Sequence, residues 1–402
     1  MPQDKKDKNL NIPPLRFPGF TDEWKDSYLS LDCEVNPKSP ILEDEFVYLD
    51  LESVEKGVLI KRQVIKKVDA PSRAQRVLSD GDVLFQCVRP YQQNNYFYEV
   101  DNSGLQWVAS TGYAQLRVKH SNPEFIYHLL SSPSFTRKVI VRCTGSNYPA
   151  INSEDLSSIH YRICSLPEQK KIAKLITLLD ERIAAQNKII DNLQSLIKGL
   201  NDSFHDGIQG TPISFDQIGS SYSGLSGKNG DDFGHGSPFI TYLNVYQNNI
   251  VNEKQIDLVS VDANESQNTI SYGDVLFTLS SETPEETGIG CVYLGSSGKY
   301  YLNSFCFGVT ITHPDKVYPP YLAYLVSSSK FRKFVYPLAQ GSTRFNLQKS
   351  DFMRKQFTLL PIEKQKEIAT ILDTLNNRLS VEYKLNELYK SQKDYLLRKL
   401  FI

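Results

Sequence analysis

The chain contains itself twice, and no other feature constrains its fold as strongly. Ser79–Phe85 (SDGDVLF) returns as Ser271–Phe277 (SYGDVLF), 192 residues further on. Thr144–Leu156 (TGSNYPAINSEDL) returns as Gln340–Phe352 (QGSTRFNLQKSDF) at an offset of 196. Phe125–Phe135 (FIYHLLSSPSF) returns as Tyr321–Phe331 (YLAYLVSSSKF) at the same offset of 196. Leu166–Ala173 (LPEQKKIA) matches Leu360–Ala369 (LPIEKQKEIA), with two extra residues after the proline of the second copy. A looser match relates Tyr48–Leu59 to Tyr242–Val251. A period near half of 402 residues means two copies and not a solenoid. It also fits a length beyond one comfortable core.

Composition narrows the class. An aromatic content of 11% with 23% charged residues belongs to folded domains, not to a disordered chain. No run approaches the roughly 18 apolar residues that a membrane-spanning helix needs, so no membrane association is expected. The opening residues MPQDKKDKNLNIPP hold no apolar core of a secretory signal. Cys33, Cys87, Cys143, Cys164, Cys291 and Cys306 lie far apart without a C-x-x-C pair, which reads as reduced thiols in a cytoplasmic protein. With 45 Lys+Arg against 46 Asp+Glu there is no global basic signature, so any nucleic-acid contact must be local or shared with partners.

Each copy has a globular and a helical part. Short β-branched runs (Asp82–Val88, Tyr113–Val118, Asp274–Leu279, Phe307–Ile311) alternate with Gly, Pro and Asn clusters, and Phe125–Leu130 and Tyr321–Val326 follow prolines as helices do. The Gly- and Ser-rich stretch Gly219–Gly236 reads as a loop. Each globular part is thus expected to be a mixed α/β lobe. After Pro167, Ile172, Ile176, Leu179, Ile183, Gln186, Ile190, Leu193, Ile197, Leu200 and Phe204 recur at spacings of four and three, a heptad seam. The second copy repeats it with Ile368, Leu372, Leu375, Leu379, Tyr389, Leu396 and Leu400, weakened in the middle by Glu382, Asn386 and Lys393. Helices of about 30 to 40 residues run roughly 45–60 Å, longer than a lobe is wide. The expected architecture is an N-terminal tail (1–20), a lobe (21–165), a spacer helix (166–206), a second lobe (207–359) and a second spacer helix (360–402). The two helices are expected to pair as an antiparallel coiled coil, giving a pseudo-two-fold internal repeat.

No catalytic constellation is present. There is no Walker-type phosphate loop and no metal-ligand spacing among His120, His128, His160, His205, His235 and His313. His160 with Cys164 is too isolated a pair to hold a metal. Tyr318-Pro319-Pro320-Tyr321 imitates the Asn/Asp-Pro-Pro-Tyr/Phe loop of adenine methyltransferases but lacks its polar first side chain, so it reads as a helix start. The chain is expected to be no enzyme, with no cofactor of its own.

What remains points to DNA. Lys61, Arg62, Lys66, Lys67, Arg73 and Arg76 oppose one acid, Asp69. Arg89, Tyr91, Asn94 and Asn95 follow the first Gly-Asp-Val-Leu-Phe strand, and Arg, Asn and Gln are the side chains that bond base edges in pairs. The Gly-Ser loops add Ser146, Asn147 and Tyr148 in the first copy and Ser342, Thr343, Arg344 and Asn346 in the second; Lys228 joins them from the Gly-rich stretch. For any single one of these the plainer alternative is a solvated face or ordinary turn chemistry.

The ordered set resembles a known family, the specificity (S) subunit of type I restriction–modification systems. It comprises Pro14-Leu-Arg-Phe-Pro-Gly-Phe-Thr-Asp-Glu-Trp24, the paired Gly-Asp-Val-Leu-Phe strands, the Gly-Ser loops and the two Leu-Pro…Gln-Lys…Ile-Ala helix entries. The resemblance implies two target-recognition domains, each reading one half of a bipartite double-stranded DNA site. It also implies helices that space them and dock two adenine-N6 methyltransferase (M) subunits, with restriction/motor (R) subunits completing the complex. S-adenosylmethionine, ATP and Mg would then belong to the partners alone. Two alternatives stand beside it: the recognition subunit of another methylating endonuclease class, and a two-lobed coiled-coil scaffold that binds no DNA.

Overall fold

A computed structural model of the chain describes residues 11–206, 209–296 and 298–402, so the first ten residues of the expected tail lie outside the described residues. The chain forms two compact units. One runs up to Asn187 and includes Lys384–Ile402; the other is Lys188–Tyr383.

Two four-stranded sheets carry unit one. The first is antiparallel in the order Cys33–Val35, Tyr113–Val118, Val83–Gln86, Tyr96–Phe97. The second runs Gln63–Lys66, Glu45–Leu49, Gln106–Ser110, Ala74–Val77, with one parallel pair, Glu45–Leu49 beside Gln106–Ser110. Val83–Gln86 is buried along its whole length, as a continuous apolar run in a central strand should be. The repeated Ser-x-Gly-Asp before it is a turn with a mechanism. Gly81 takes φ +78, which glycine alone reaches without a Cβ penalty, and the Asp82 carboxylate accepts the Ser79 N–H at 2.7 Å. In unit two Gly273 takes φ +89 and Asp274 accepts the Ser271 N–H at 2.9 Å.

Unit two repeats the first sheet's order with Gly219–Ser223, Cys306–Ile311, Val275–Thr278 and Gly290–Val292. Another of its sheets places Phe233–Ile240 between Ile256–Val259 and Tyr301–Leu302, again with one parallel pair. The expected loop over Gly219–Gly236 is therefore corrected at both ends, which are strands. The glycines serve close approach: a Cβ on Gly219 would run into Thr310 O, and one on Gly308 of the partner strand into the Tyr222 ring. The looser sequence match also fails. Tyr48 lies in a strand, whereas Tyr242 opens the helix Tyr242–Gln247, because Thr241 accepts the Asn244 N–H at 3.2 Å and starts a helix there. In the first copy Asp50 instead closes a turn onto Glu52 and Ser53.

The paired Leu-Pro…Gln entries have one job in both units. Gln169 accepts the Asn122 N–H at 2.8 Å and donates to Cys164 O at 2.9 Å. Gln365 accepts the Tyr318 N–H at 2.8 Å and donates to Leu360 O and Lys316 O. Each glutamine thus fastens the start of the short helix (Pro123–Leu130 or Pro319–Ser327) to the long helix that follows. Tyr318-Pro319-Pro320-Tyr321 is a helix start, as its sequence reads.

The long helices span Leu166–His205 and Ile362–Leu400. In unit one Ile172 and Ile176 share a core with Leu396, Leu397, Leu400, Phe401, Trp24 and Phe125. Asp180 pairs with Lys393, Arg182 lies over the Tyr389 ring, and Asn386 donates to Asn187 at 2.8 Å. Contacts descend on one helix as they ascend on the other, so these segments run antiparallel. In unit two Ile197, Leu200 and Phe204 pack with Ile368 and Leu372 around a cluster of phenylalanines. Ile190 is buried too, while Leu179, Ile183, Leu193, Leu375 and Leu379 are half-buried. The polar positions thought to weaken the seam, Glu382 and Asn386, are buried, with Arg378 and Asn187 as partners. The opening motif belongs to the same core. Arg16 grips the fully buried Glu168 through two bonds of 2.7 and 2.8 Å, and the Leu15 N–H reaches Lys399 O at 3.0 Å.

Candidate nucleic-acid interface

Unit one carries a groove of about 1080 Å³ that gathers four of the residues singled out by sequence: Arg73, Arg89, Asn94 and Tyr148. One wall is the hairpin Val54–Glu55/Val58–Leu59, which contributes Lys56. Its two-residue turn has both central residues at positive φ, Lys56 at 46 and Gly57 at 85, the turn whose twist matches paired strands. A second wall follows strand Val83–Gln86, where Arg89 (φ 53) and Gln93 (φ 56) flank the 3-10 turn Pro90–Gln92. Among the described residues only Asn36 is a further non-glycine at positive φ. Such conformations cost on the order of 1–3 kcal/mol each and persist where the surroundings overdetermine them, as at binding sites. Here the surroundings are amides. The buried Gln86 accepts the Asn94 N–H at 3.0 Å and donates to Gln92 at 2.9 Å, and Asn94 accepts the Lys56 N–H at 2.9 Å.

The third wall is the Gly-Ser loop, a hairpin tip closed by reciprocal Thr144 and Ala150 bonds of 2.9 Å. Gly145 (φ 91) would bring a Cβ within 3.0 Å of Tyr148 O, so the tip needs glycine. Ser146 and Asn147 are exposed there, and the Tyr148 ring carries the Arg89 guanidinium 4.4 Å from its centroid. Unit two builds the same tip. Gly341 (φ 147) would clash with Arg344 O if it bore a side chain; Ser342, Thr343, Arg344 and Asn346 are exposed, and Arg344 lies over Phe305. The position that holds an aromatic ring in the first unit holds a cation in the second.

Other candidates lie outside the groove. Lys61 and Arg62 are exposed but lean on Asp50 and Asp101. Lys66 ends the edge strand Gln63–Lys66, and Lys67 donates to Leu42 O at 3.0 Å. Burial pulls the pKa of Arg76 below its ordinary value, and its Nε is buried without a partner. Tyr91 is exposed within the 3-10 turn. Two candidates are corrected. Asn95 is buried and spends its side-chain oxygen on the Gln86 N–H at 2.9 Å, holding the loop from inside. Lys228 has a side chain only 5% exposed and locked to Glu265 at 2.6 Å, so its charge is already neutralised. The sequence reading missed Lys56, although its Lys-Gly turn between Val54 and Val58-Leu59 was a legible hairpin signal.

Among the described residues no group of His, Cys, Asp or Glu could hold a metal ion, and no helix is long and apolar enough to cross a membrane. His160 spends its Nε2 on Asp26 at 2.9 Å.

Comparison with known proteins bears on both units. The model of the type I restriction modification DNA specificity domain matches residues 77–195 and again 228–389. The type I restriction enzyme HindI specificity subunit of Haemophilus influenzae is 26% identical over 184 residues, which is 45% of this chain and 38% of that relative. The matched stretch therefore spans well under half of the relative's length. A chain from a structural study of complex assembly and conformational transition of the type I R-M system has a TM-score of 0.61 at 20% identity, covering 94% of this chain and 97% of the other. The type I restriction-modification S subunit from M. genitalium has a TM-score of 0.56 at 14% identity, covering 97% and 99%. At these identities the two structures speak for the fold.

Proposed function

The chain belongs to the type I restriction modification DNA specificity family, non-catalytic subunits of DNA recognition, and from that premise we propose that it reads a bipartite DNA site, one half-site per unit. The observation that carries this reading is the double match: the specificity domain occurs once in each half of the chain. The groove and hairpin tip of unit one, and the matching tip of unit two, are the surfaces that would enter the major groove. Exposed cations elsewhere on unit one, Lys61, Lys66 and Lys67 among them, would set register on phosphates, while amides and guanidinium groups in the groove would read base edges.

The remaining organisation follows. The functional division is residues 21–165 and 207–359 as recognition domains, with 166–206 and 360–402 as spacer helices. On this reading the helices pair as an antiparallel coiled coil, the helical part of a pseudo-two-fold internal repeat. They dock two adenine-N6 methyltransferase subunits, and restriction/motor subunits join that assembly in the cytoplasm. The partner methyltransferase would flip an adenine of each half-site out of the stack. S-adenosylmethionine, ATP and Mg act in those partners, and phosphate neutralisation is shared with them, which suits a net charge of −1 here.

Domain exchange tests the reading. Replacing residues of about 25–160 with the corresponding domain of another family member, in a strain expressing the methyltransferase, should change one half-site in the methylome and leave the other intact. A hybrid that alters both half-sites, or neither, refutes modular reading.

A further inference from the structure

We propose that Arg89 selects a guanine within the half-site read by unit one, with the Tyr148 ring as its platform. This deepens the DNA-reading assignment above and rests on it.

Arg89 is held in place and yet uncommitted. Its backbone sits at φ 53 and ψ 54, its N–H is tied to Pro149 O at 2.8 Å, and its guanidinium lies 4.4 Å from the Tyr148 centroid. That stack fixes the plane of the fork without using its hydrogen bonds. Among the described residues the guanidinium has no carboxylate partner and no side-chain hydrogen bond, and its Nε is buried without an acceptor. Of the chain's other half-buried arginines, Arg16 is spent on Glu168, Arg117 on Asp82, Arg162 on Asp26 and Arg332 on three backbone carbonyls, while Arg76 shares an unpartnered Nε but does not line the groove. Glu52 and Glu55 line the same groove, and Arg89 pairs with neither.

A planar donor fork without acceptors, in a groove, calls for two adjacent acceptors on a flat edge. In the DNA major groove that edge is guanine O6 and N7; adenine offers one acceptor and one donor. Phosphate also offers two acceptors. The stack on Tyr148 favours the base edge, because it holds the fork in one plane, as a flat edge requires; the charge of the groove does not decide between them, since Lys56 and Arg73 line it beside Glu52 and Glu55. Lysine in place of Arg89 would keep the charge and lose the fork.

The test is methylome sequencing of Arg89→Lys, Tyr148→Leu and Tyr148→Phe, each as the full chain expressed with its methyltransferase in a host lacking other adenine methylation. Arg89→Lys should make one guanine position of one half-site degenerate, abolishing a preference of roughly 5- to 150-fold, with every other position retained. Tyr148→Leu should weaken preference at that same position, and Tyr148→Phe, which keeps the ring, should leave the motif unchanged. Because Tyr148 is exposed, its two variants decide the matter even if Arg89→Lys disturbs the strained loop. An unchanged motif in both Arg89→Lys and Tyr148→Leu overturns the proposal while sparing the DNA-reading assignment. So does a uniform loss of methylation at all sequences, the mark of a phosphate contact. A native complex without any sequence preference overturns the assignment and the proposal together.

Discussion

Replacing Phe401 should loosen unit one and leave unit two alone, although most of unit one lies more than 200 residues away in sequence. Phe401 is 2% exposed, its ring centroid lies 5.3 Å from that of Phe125, and Leu396, Leu397 and Leu400 complete the same core. Truncating a buried phenylalanine to alanine costs about 3–5 kcal/mol. Phe401 directly follows the end of the helix Ile362–Leu400, where neighbours can settle into the space, so the lower end applies. About 3 kcal/mol raises the open population of unit one by about 150-fold. Native-state hydrogen exchange reads this directly, because protection reports the opening of each cooperative region. In Phe401→Ala, amides of Pro123–Leu130 should lose about two orders of magnitude of protection, while those of Pro319–Ser327 change by no more than a few fold. Equal loss in both helices, or in neither, would refute the assignment of Phe401 to a core that unit one owns.

Gln365→Leu should destabilise unit two by at least about 3 kcal/mol, because it strands one N–H and two carbonyls in a site where Gln365 is fully buried; a shift of the urea midpoint measures it. Acid should weaken unit one through His128, whose pKa burial pushes down to about 3 from an ordinary 6.5. The unfolded chain takes up a proton there that the folded chain refuses, so this contribution is full above about pH 6.5 and is lost as pH falls toward 3. The slope is about 1.4 kcal/mol per pH unit, and His128→Gln should flatten it in denaturation series between pH 4 and 6.

Much of this organisation is written in stretches of a few residues. The Ser-x-Gly-Asp turns, the proline helix starts and the Gly-Ser tips are local chemistry, so they are legible wherever they occur, and their recurrence exposes the duplication. The two long helices, Leu166–His205 and Ile362–Leu400, are legible for the same reason, since a helix repeats its face every few residues. Local readings fail where a distant segment decides. The Gly219–Gly236 stretch reads as loop until Thr310 and Gly308 arrive beside it as a strand. Asn386 reads as a weak point until Asn187 meets it from the other long helix.

The recognition surface divides along the same line. Sequence by itself pointed to mixed α/β units with long helices, and it nominated Arg73, Arg89, Asn94 and Tyr148 among eighteen candidates. It could not separate them from Asn95, one residue along from Asn94, or from Lys228. Residue type sets what a side chain can bond to; only the tertiary structure decides whether that capacity is already spent. Asn95 gives its oxygen to Gln86 inside the fold, and Lys228 gives its charge to Glu265 at the surface. Arg89 is left with a ring beneath it and no acceptor, because the Val83–Gln86 strand and the Gly145 tip are brought together by pairings between Val88 and Ala150, far apart in the chain. Those long-range pairings carry no signature in any local window, which is why the groove they enclose came into view only with the fold.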